Sequence, residues 1–190
     1  NDRVVGVKGT HVGERFEKRA NIVVGADGVE SRVGRWAGLK TTVKLKNMEC
    51  GIQKTVTGID VDEHMFEFYL SKKWAPGGYL WVFPKGKNKA NIGVAISGYY
   101  AKDGKSAQKF LDEFLAWKYP KASVLTTVVG GIPIDKTVKQ MVMDGLMLVG
   151  DAAHTVNPVT GGGIVPGMRS GLLAAETAVK ALHNEIGRAH

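Results

Sequence analysis

The stretch at residues 146–164, LMLVGDAAHTVNPVTGGGI, decides how this 190-residue chain is interpreted. Its apolar first part predicts a buried strand that delivers Asp151 to the carboxyl end of the strand, where α/β sheets bind ligands. The glycines at 161–163 then let backbone N–H groups approach a flat, electron-rich ligand, with the positive end of a helix dipole behind them. This arrangement suits a flavin, whose ribityl hydroxyls would donate hydrogen bonds to Asp151.

The segments on either side of this stretch complete the prediction for this part of the chain. One apolar strand is predicted over 141–149, and a helix from about Pro166 to Leu182, since proline is tolerated only in the first turn of a helix. Far upstream, residues 3–7 and 16–24 predict a hairpin followed by a buried strand.

That upstream strand ends at Ala26-Asp27-Gly28. Either Ser31 or Asp27 then caps a short helix that runs through Trp36 and ends at Gly38.

The central part of the chain has the alternating pattern of an antiparallel β-meander, followed by a helix over 106–118. Within the meander, Tyr79, Trp81 and Phe83 share one face of a strand. A turn near Lys87 would place the small or polar side chains of the next strand opposite them, namely Ala95, Gly93 and Asn91. The result is a groove with an aromatic floor, suited to a flavin edge or a long polyprenyl chain. An ordinary sheet core is the alternative, and a one-residue slip would reverse the pairing.

Composition limits the class of protein. The chain is 44% apolar and 23% charged, which is typical of a globular protein, and no apolar run approaches the roughly 18 residues of a membrane helix. Its 26 basic and 18 acidic residues give a net charge of +8, which favours an anionic partner such as a nucleotide cofactor, a lipid surface or nucleic acid. A single cysteine, Cys50, excludes an internal disulfide and favours a reducing compartment, so we expect a cytoplasmic protein.

Two motifs together resemble a known group of flavoproteins. Residues 24–32, VGADGVESR, resemble the Asp-Gly motif, and the stretch at 150–164 resembles the Gly-Asp motif, of the group that contains aromatic hydroxylases, tryptophan halogenases and geranylgeranyl reductases. Within that group, residues 78–86, GYLWVFPKG, with 90–94, ANIGV, are similar to the signature of geranylgeranyl reductases. Those enzymes hydrogenate isolated C=C bonds of isoprenoid chains.

The resemblance implies an α/β plus α+β fold, in which an antiparallel β-sheet substrate domain is inserted into a partial FAD-binding domain of the aromatic-hydroxylase type. The expected segments are 1–39 and 129–185 for the FAD domain and 40–128 for the substrate domain. Residues 186–190 are interpreted as a non-native tail. The chain lacks the family's N-terminal Gly-x-Gly-x-x-Gly unit, early cysteine segment and C-terminal portion, so we expect a fragment.

The resemblance also implies a function and a site. The function is FAD-dependent reduction of isoprenoid C=C bonds, with a prenylated lipid as substrate, NAD(P)H or reduced ferredoxin as electron donor, peripheral membrane contact, and no nucleic acid or metal. No proton donor can be identified. The residues expected to bind the cofactor are Asp27, Gly28, Gly150, Asp151, Pro158, Gly161, Gly162, Gly163 and Ile164. Those expected to bind the substrate are Tyr79, Trp81, Phe83 and Gly93.

Two other functions remain open from sequence: an FAD-dependent aromatic monooxygenase or halogenase-like enzyme, and a non-enzymatic lipid-binding module.

The roles of several single residues also remain open from sequence. His154 is either a loop hydrogen-bonder or a catalytic group, and Cys50 is interpreted as buried packing. The lysines at 85, 87 and 89 form either a solvated turn or a contact for an anionic lipid headgroup.

Overall fold

The structure is a computed structural model that describes residues 3–183, apart from the side chains of residues 101–103. In chain order the elements are β1 (Gly6–His11), β2 (Glu14–Arg19), β3 (Val23–Gly25), α1 (Arg32–Trp36), β4 (Met48–Thr57), β5 (Glu67–Tyr69), β6 (Tyr79–Pro84), β7 (Lys89–Ser97), α2 (Ala107–Lys118), β8 (Ser123–Pro133), β9 (Val142–Met143), β10 (Leu146–Leu148) and α3 (Ile164–His183). Among the described residues, no helix is long and apolar enough to span a membrane.

The chain divides into two compact units. The first unit contains the described residues up to Val43 and from Pro133 onward, and the second contains Lys44–Ile132. The sequence placed the corresponding boundaries after residues 39 and 128, and β8 continues through the second of these positions. The tail predicted at 186–190 lies outside the described residues.

The first unit is built around a three-stranded sheet in the order β3-β10-β9. β10 pairs in parallel with β3, with Leu146 opposite Val23, and pairs antiparallel with β9. β1 and β2 form a separate hairpin. The predicted hairpin followed by a strand is therefore confirmed: β1 and β2 pair with each other, the chain bends around Asn21, and β3 joins another sheet.

The prediction of one strand over 141–149 is wrong, because β9 and β10 are the two arms of a tight hairpin. The turn is Asp144-Gly145, and Gly145 has φ +77°. A Cβ on Gly145 would lie 2.0 Å from the carbonyl oxygen of Val4, so both the backbone angle and the space require glycine. Asp-Gly is a common two-residue hairpin turn, but the apolar residues on both sides suggested an unbroken strand.

The predicted helices are confirmed. α1 is capped by Asp27, whose Oδ2 accepts a hydrogen bond of 2.9 Å from the N–H of Val33. α2 is capped by Ser106, and α3 contains Pro166 in its first turn.

The second unit is a five-stranded sheet in the order β5-β6-β7-β4-β8, with α2 packed against one side. Alternate strand residues point toward α2 and form an aliphatic core around Phe114 and Leu111, both fully buried. The strand residues of this core include Ile52, Val56, Leu80, Val82, Ile92 and Val94. We call this side of the sheet the helix face; the intervening residues point to the opposite side.

Candidate active site

The two predicted flavin motifs lie side by side in the first unit. Because β3 and β10 are parallel neighbours, Asp27-Gly28 and Gly150-Asp151 follow the carboxyl ends of adjacent strands at the same edge of the sheet. The N–H of Val149 donates to the carbonyl of Gly25 at 3.0 Å, which extends the pairing to the start of the second motif. Close packing depends on Gly25, since a Cβ there would lie 2.6 Å from Leu148 Cδ2.

A buried chain of hydrogen bonds locks these two motifs together. The Ser31 hydroxyl donates to the carbonyl of Ala152 at 2.8 Å, and the Thr41 hydroxyl donates to the carbonyl of Ser31 at 3.0 Å. The chain ends at His154, whose Nε2 lies 3.1 Å from the carbonyl oxygen of Thr41. Since a carbonyl only accepts, Nε2 carries the proton. His154 is 4% exposed and acts here as a structural hydrogen-bonder, which was the first of its two interpretations.

Asp151 has a different environment from Asp27. Asp27 is used as a helix cap, whereas the Asp151 carboxyl forms no hydrogen bond or ion pair within the part of the chain that the structure describes. Burial raises the pKa of Asp151, and the charge of His154 partly opposes this rise. A half-buried carboxyl without a partner is expected where a ligand supplies the hydrogen bonds.

The glycine loop passes directly beside this carboxyl. A Cβ on Gly163 would lie 3.2 Å from Asp151 Oδ1, so glycine lets the backbone approach it. Asn157 shapes the loop: its Oδ1 accepts from the N–H groups of Val159 and Thr160, at 2.9 and 3.2 Å. Pro158 and Gly161 lie in the same turn, where Gly161 has φ +66° and donates its N–H to the carbonyl of Asn157.

The start of α3 follows this loop, with Ile164 81% exposed. Flavin contacts of the amides near Gly162 and Gly163 stay a prediction. Within the loop, the N–H of Gly162 donates to the Thr160 hydroxyl at 3.2 Å. Ser170 fixes α3 to the strand end, because its hydroxyl accepts from the N–H of Gly150 at 2.9 Å.

These features fit an FAD site. An unpaired carboxyl, a glycine backbone beside it and the positive end of a 20-residue helix offer an acceptor for hydroxyl groups and a stabilising dipole for negative charge.

Gly28 has φ +75°, and a Cβ there would touch no atom within 4 Å, so the backbone conformation rather than space accounts for glycine at this position.

In the second unit, the side of the sheet away from α2 carries a continuous row of aromatic rings. The predicted register is confirmed to the residue: Tyr79 pairs with Ala95, Trp81 with Gly93 and Phe83 with Asn91. The three rings are half-buried, while the intervening Leu80 and Val82 are buried on the helix face. We call this side of the sheet the aromatic face.

The rings are held by specific contacts. Trp81 lies over Gly93, where a Cβ would be 2.2 Å from its Cζ2, and its Nε1 donates to Gln53 Oε1 at 3.1 Å. Ring centroids are 5.8 Å apart for Tyr79 and Trp81, and 6.1 Å apart for Trp81 and Phe83.

Two further rings that were not predicted from sequence, Phe66 and Phe68, are 67% and 56% exposed. Their centroids lie 5.1 and 5.4 Å from that of Phe83, so they extend the row beyond β6. The sequence does indicate that these two rings share one face of a strand, because Phe66-Glu67-Phe68 has period-2 alternation.

Comparisons with known proteins agree with this organisation. Residues 47–132 match the geranylgeranyl reductase catalytic domain. Digeranylgeranylglycerophospholipid reductase 2 of Methanococcoides burtonii is 46% identical over 182 residues, which are 96% of this chain and 45% of the relative. The chain thus spans about half the length of the curated relatives it matches.

Solved structures confirm the predicted fold class. A geranylgeranyl bacteriochlorophyll reductase-like protein from Thermoplasma acidophilum superposes with a TM-score of 0.90 at 38% identity, covering 97% of this chain and 47% of that one. The FAD-dependent myxobacterial chondrochloren halogenase CndH superposes at 0.74 with 18% identity, covering 97% and 45%, and shows the shared fold alone. Over the residues that it spans, the chain belongs to the geranylgeranyl reductase family.

Proposed function

We propose that this sequence is part of an FAD-dependent reductase that hydrogenates the C=C bonds of geranylgeranyl chains in membrane lipids. The observation that carries the proposal is the aromatic face, which lies within the residues that match the catalytic domain. The relatives named digeranylgeranylglycerophospholipid reductases support the choice of substrate.

The aromatic face suits a prenyl chain because such a chain has no hydrogen-bonding groups. Its affinity must come from removal of apolar surface from water and from contact with large rings. Gly93 leaves space beside the sheet for Trp81 to lie flat, and Gln53 fixes the ring through its indole N–H. These two contacts hold the Trp81 ring in place on the apolar surface.

In the proposed enzyme, Asp151 and the loop at 161–163 hold the flavin, while the start of α3 stabilises negative charge on its ring. FAD supplies a hydride when bound and reduced. Asp27 contributes indirectly, because its carboxylate orders the loop after β3 by capping α1.

The remaining assignments concern partners. NAD(P)H or reduced ferredoxin would supply the electrons. Lys85 and Lys87 are exposed in the turn between β6 and β7, and Lys89 is half-buried next to them. These lysines are suited to anionic lipid headgroups, consistent with a cytoplasmic enzyme that contacts the membrane surface.

The test is product analysis with the complete protein that contains this sequence. Under anaerobic conditions with a chemical reductant, digeranylgeranylglycerophospholipid should gain two hydrogens for each C=C bond reduced, as measured by mass spectrometry. Oxygen-dependent addition of an oxygen atom would indicate a monooxygenase instead. Binding of the lipid without any turnover would indicate a lipid-binding module.

The cofactor site is tested separately by flavin content. Asp151→Ala should lose bound flavin with the fold intact, since each hydrogen bond to a charged acceptor contributes about 1.5–3 kcal/mol. Asp62→Ala, which removes an exposed carboxylate from the other unit, is the matched control. Wild-type flavin content after purification of Asp151→Ala would remove this residue from the site.

A further inference from the structure

Glu49 is an acidic side chain that neither the sequence analysis nor the flavin site accounts for. It lies near the start of β4, opposite Ser97 of β7. Strand alternation places it on the aromatic face with Gln53, while Ile52 packs on the helix face. The residue is only 8% exposed.

The carboxyl of Glu49 lies at the Tyr79 end of the aromatic row. A Cβ on Gly78 would lie 3.5 Å from Glu49 Oε1, so the carboxyl is beside the residue that precedes the first ring. Small residues leave room for it there, since Gly51 and Ala95 occupy the paired positions next to Tyr79.

This carboxyl has no hydrogen-bond or ion-pair partner in the described part of the chain, although more than nine-tenths of the residue is buried. Burial raises the pKa of Glu49. The pKa of Tyr79 is raised as well, by burial and then by the nearby charge of Glu49. A carboxyl in this position, without a partner among the described residues, is available to a ligand on the aromatic face.

The other titratable groups on this face do not fit the role of acid. Tyr79 has its pKa raised above that of an ordinary phenol, which makes it a weaker acid. Lys89 projects from the far end of β7, eight residues from Ser97 and therefore roughly 26 Å away along the strand.

The neighbouring strands add no alternative. β8 has no titratable side chain, and on β5 Glu67 and Tyr69 lie on the helix face with Lys118. Glu49 is thus the one carboxyl on the aromatic face among the described residues of the five strands.

We propose that Glu49 is the proton donor in alkene reduction, at the Tyr79 end of the prenyl-binding surface. This inference rests on the proposed function. The π electrons of the C=C bond would form a new C–H bond with the Glu49 proton, and the other alkene carbon would accept a hydride, which FAD would supply when bound and reduced. The double bond becomes a single bond, and Glu49 is left as a carboxylate that recovers its proton from solvent.

An isolated alkene is a poor hydride acceptor, so this reaction needs an acid in its protonated form. Burial favours that form of Glu49, because it disfavours the carboxylate. The apolar rings beside the carboxyl would also exclude water, which would otherwise compete for the proton.

The kinetic test uses Glu49→Gln in the complete, flavin-loaded enzyme, with Glu67→Gln as the matched control on the opposite face. The enzyme is reduced beforehand and mixed anaerobically with the geranylgeranyl lipid, and flavin reoxidation is followed in a single turnover. Glu49→Gln should slow this step about 10²–10⁴-fold, the usual contribution of general acid catalysis, while Glu67→Gln keeps the wild-type rate within about twofold. Glu49→Asp, which retains a carboxyl, should recover part of the rate.

Two readouts do not depend on turnover. Quenching of tryptophan fluorescence should show that Glu49→Gln still binds the lipid with wild-type affinity. Infrared difference spectra recorded as the pH is lowered should show a protonated carboxyl band that is absent from Glu49→Gln and present in Glu67→Gln. Loss of lipid binding, or an unchanged carboxyl band, would overturn the assignment.

The outcomes also separate this inference from the proposed function. Wild-type turnover together with full turnover by Glu49→Gln would overturn only the role of Glu49. Failure of the wild-type enzyme to reduce the lipid would overturn the proposed function, and the role of Glu49 with it.

Discussion

The two faces of the five-stranded sheet are made of the same strands but have opposite character. The helix face is covered by α2 and contains fully buried side chains such as Leu80 and Phe114. The aromatic face carries larger side chains that are only half-buried, with Gly93 beneath Trp81. One face stabilises the fold, while the other places apolar surface where a ligand can cover it.

The same contrast holds for one glutamate on each face. On the helix face, burial alone would raise the pKa of Glu67, but hydrogen bonds from Lys118 and Tyr69 and the charge of Lys118 lower it overall. On the aromatic face, the pKa of Glu49 is raised by burial without compensation. A structural acid therefore has its partners in the chain, and an acid reserved for chemistry lacks them.

The largest effect on stability is expected from the helix face. Phe114→Ala should lower the free energy of unfolding by about 3–5 kcal/mol, as for a fully buried aromatic residue. Chemical denaturation followed by circular dichroism measures it. A loss as small as that of a surface substitution would show that this face is not the core of the unit.

An intermediate effect is expected for Gly93→Ala on the aromatic face. The new methyl group would lie 2.2 Å from Trp81 Cζ2 and 2.8 Å from the carbonyl oxygen of Ile52, so the ring must move, at a cost of about 1–3 kcal/mol. Turnover of the prenyl lipid should fall together with the stability of the variant. Gly130→Ala, on β8 of the same sheet, adds a methyl with no atom within 4 Å and should change neither quantity.

A smaller effect on stability, with a larger one on function, is expected for Trp81→Ala. Because the ring is only half-buried, unfolding free energy should fall by about 1–2 kcal/mol, below the cost at a fully buried aromatic site. Turnover of long prenyl substrates should fall more than flavin content does. Trp117→Ala, at an exposed site on α2, should leave turnover unchanged. Equal losses in the two variants would contradict the distinction between the faces.

The smallest effects are the pH dependences of the two glutamates, which should have opposite signs. The raised pKa of Glu49 means that its folded state binds the proton more tightly, so the stability of wild type relative to Glu49→Gln falls as pH rises through the folded-state pKa. For Glu67, with a lowered pKa, the stability relative to Glu67→Gln is lost as pH falls through the folded-state pKa. Denaturation midpoints measured from acidic to neutral pH check both trends.

Among the local features of the chain, some were predicted correctly from sequence and others were not. The register of β6 and β7 was correct to the residue because alternation and a short turn determine it locally. The hairpin at Asp144-Gly145 was missed although its turn signal is also local, because a continuous apolar run suggested one strand.

Residue type and short-range spacing were enough to predict that a strand leads into each motif, that the rings at 79, 81 and 83 share a face, and that the chain resembles its family. Which polar groups are satisfied depends on contacts between distant parts of the chain. Ser31 reaches Ala152, 121 positions away, and His154 reaches Thr41, 113 positions away, pairings that no local pattern encodes. The environment of Glu49 could not be predicted either, because a glutamate in an alternating strand resembles any solvent-facing residue until the packed chain buries most of it and provides no partner among the described residues.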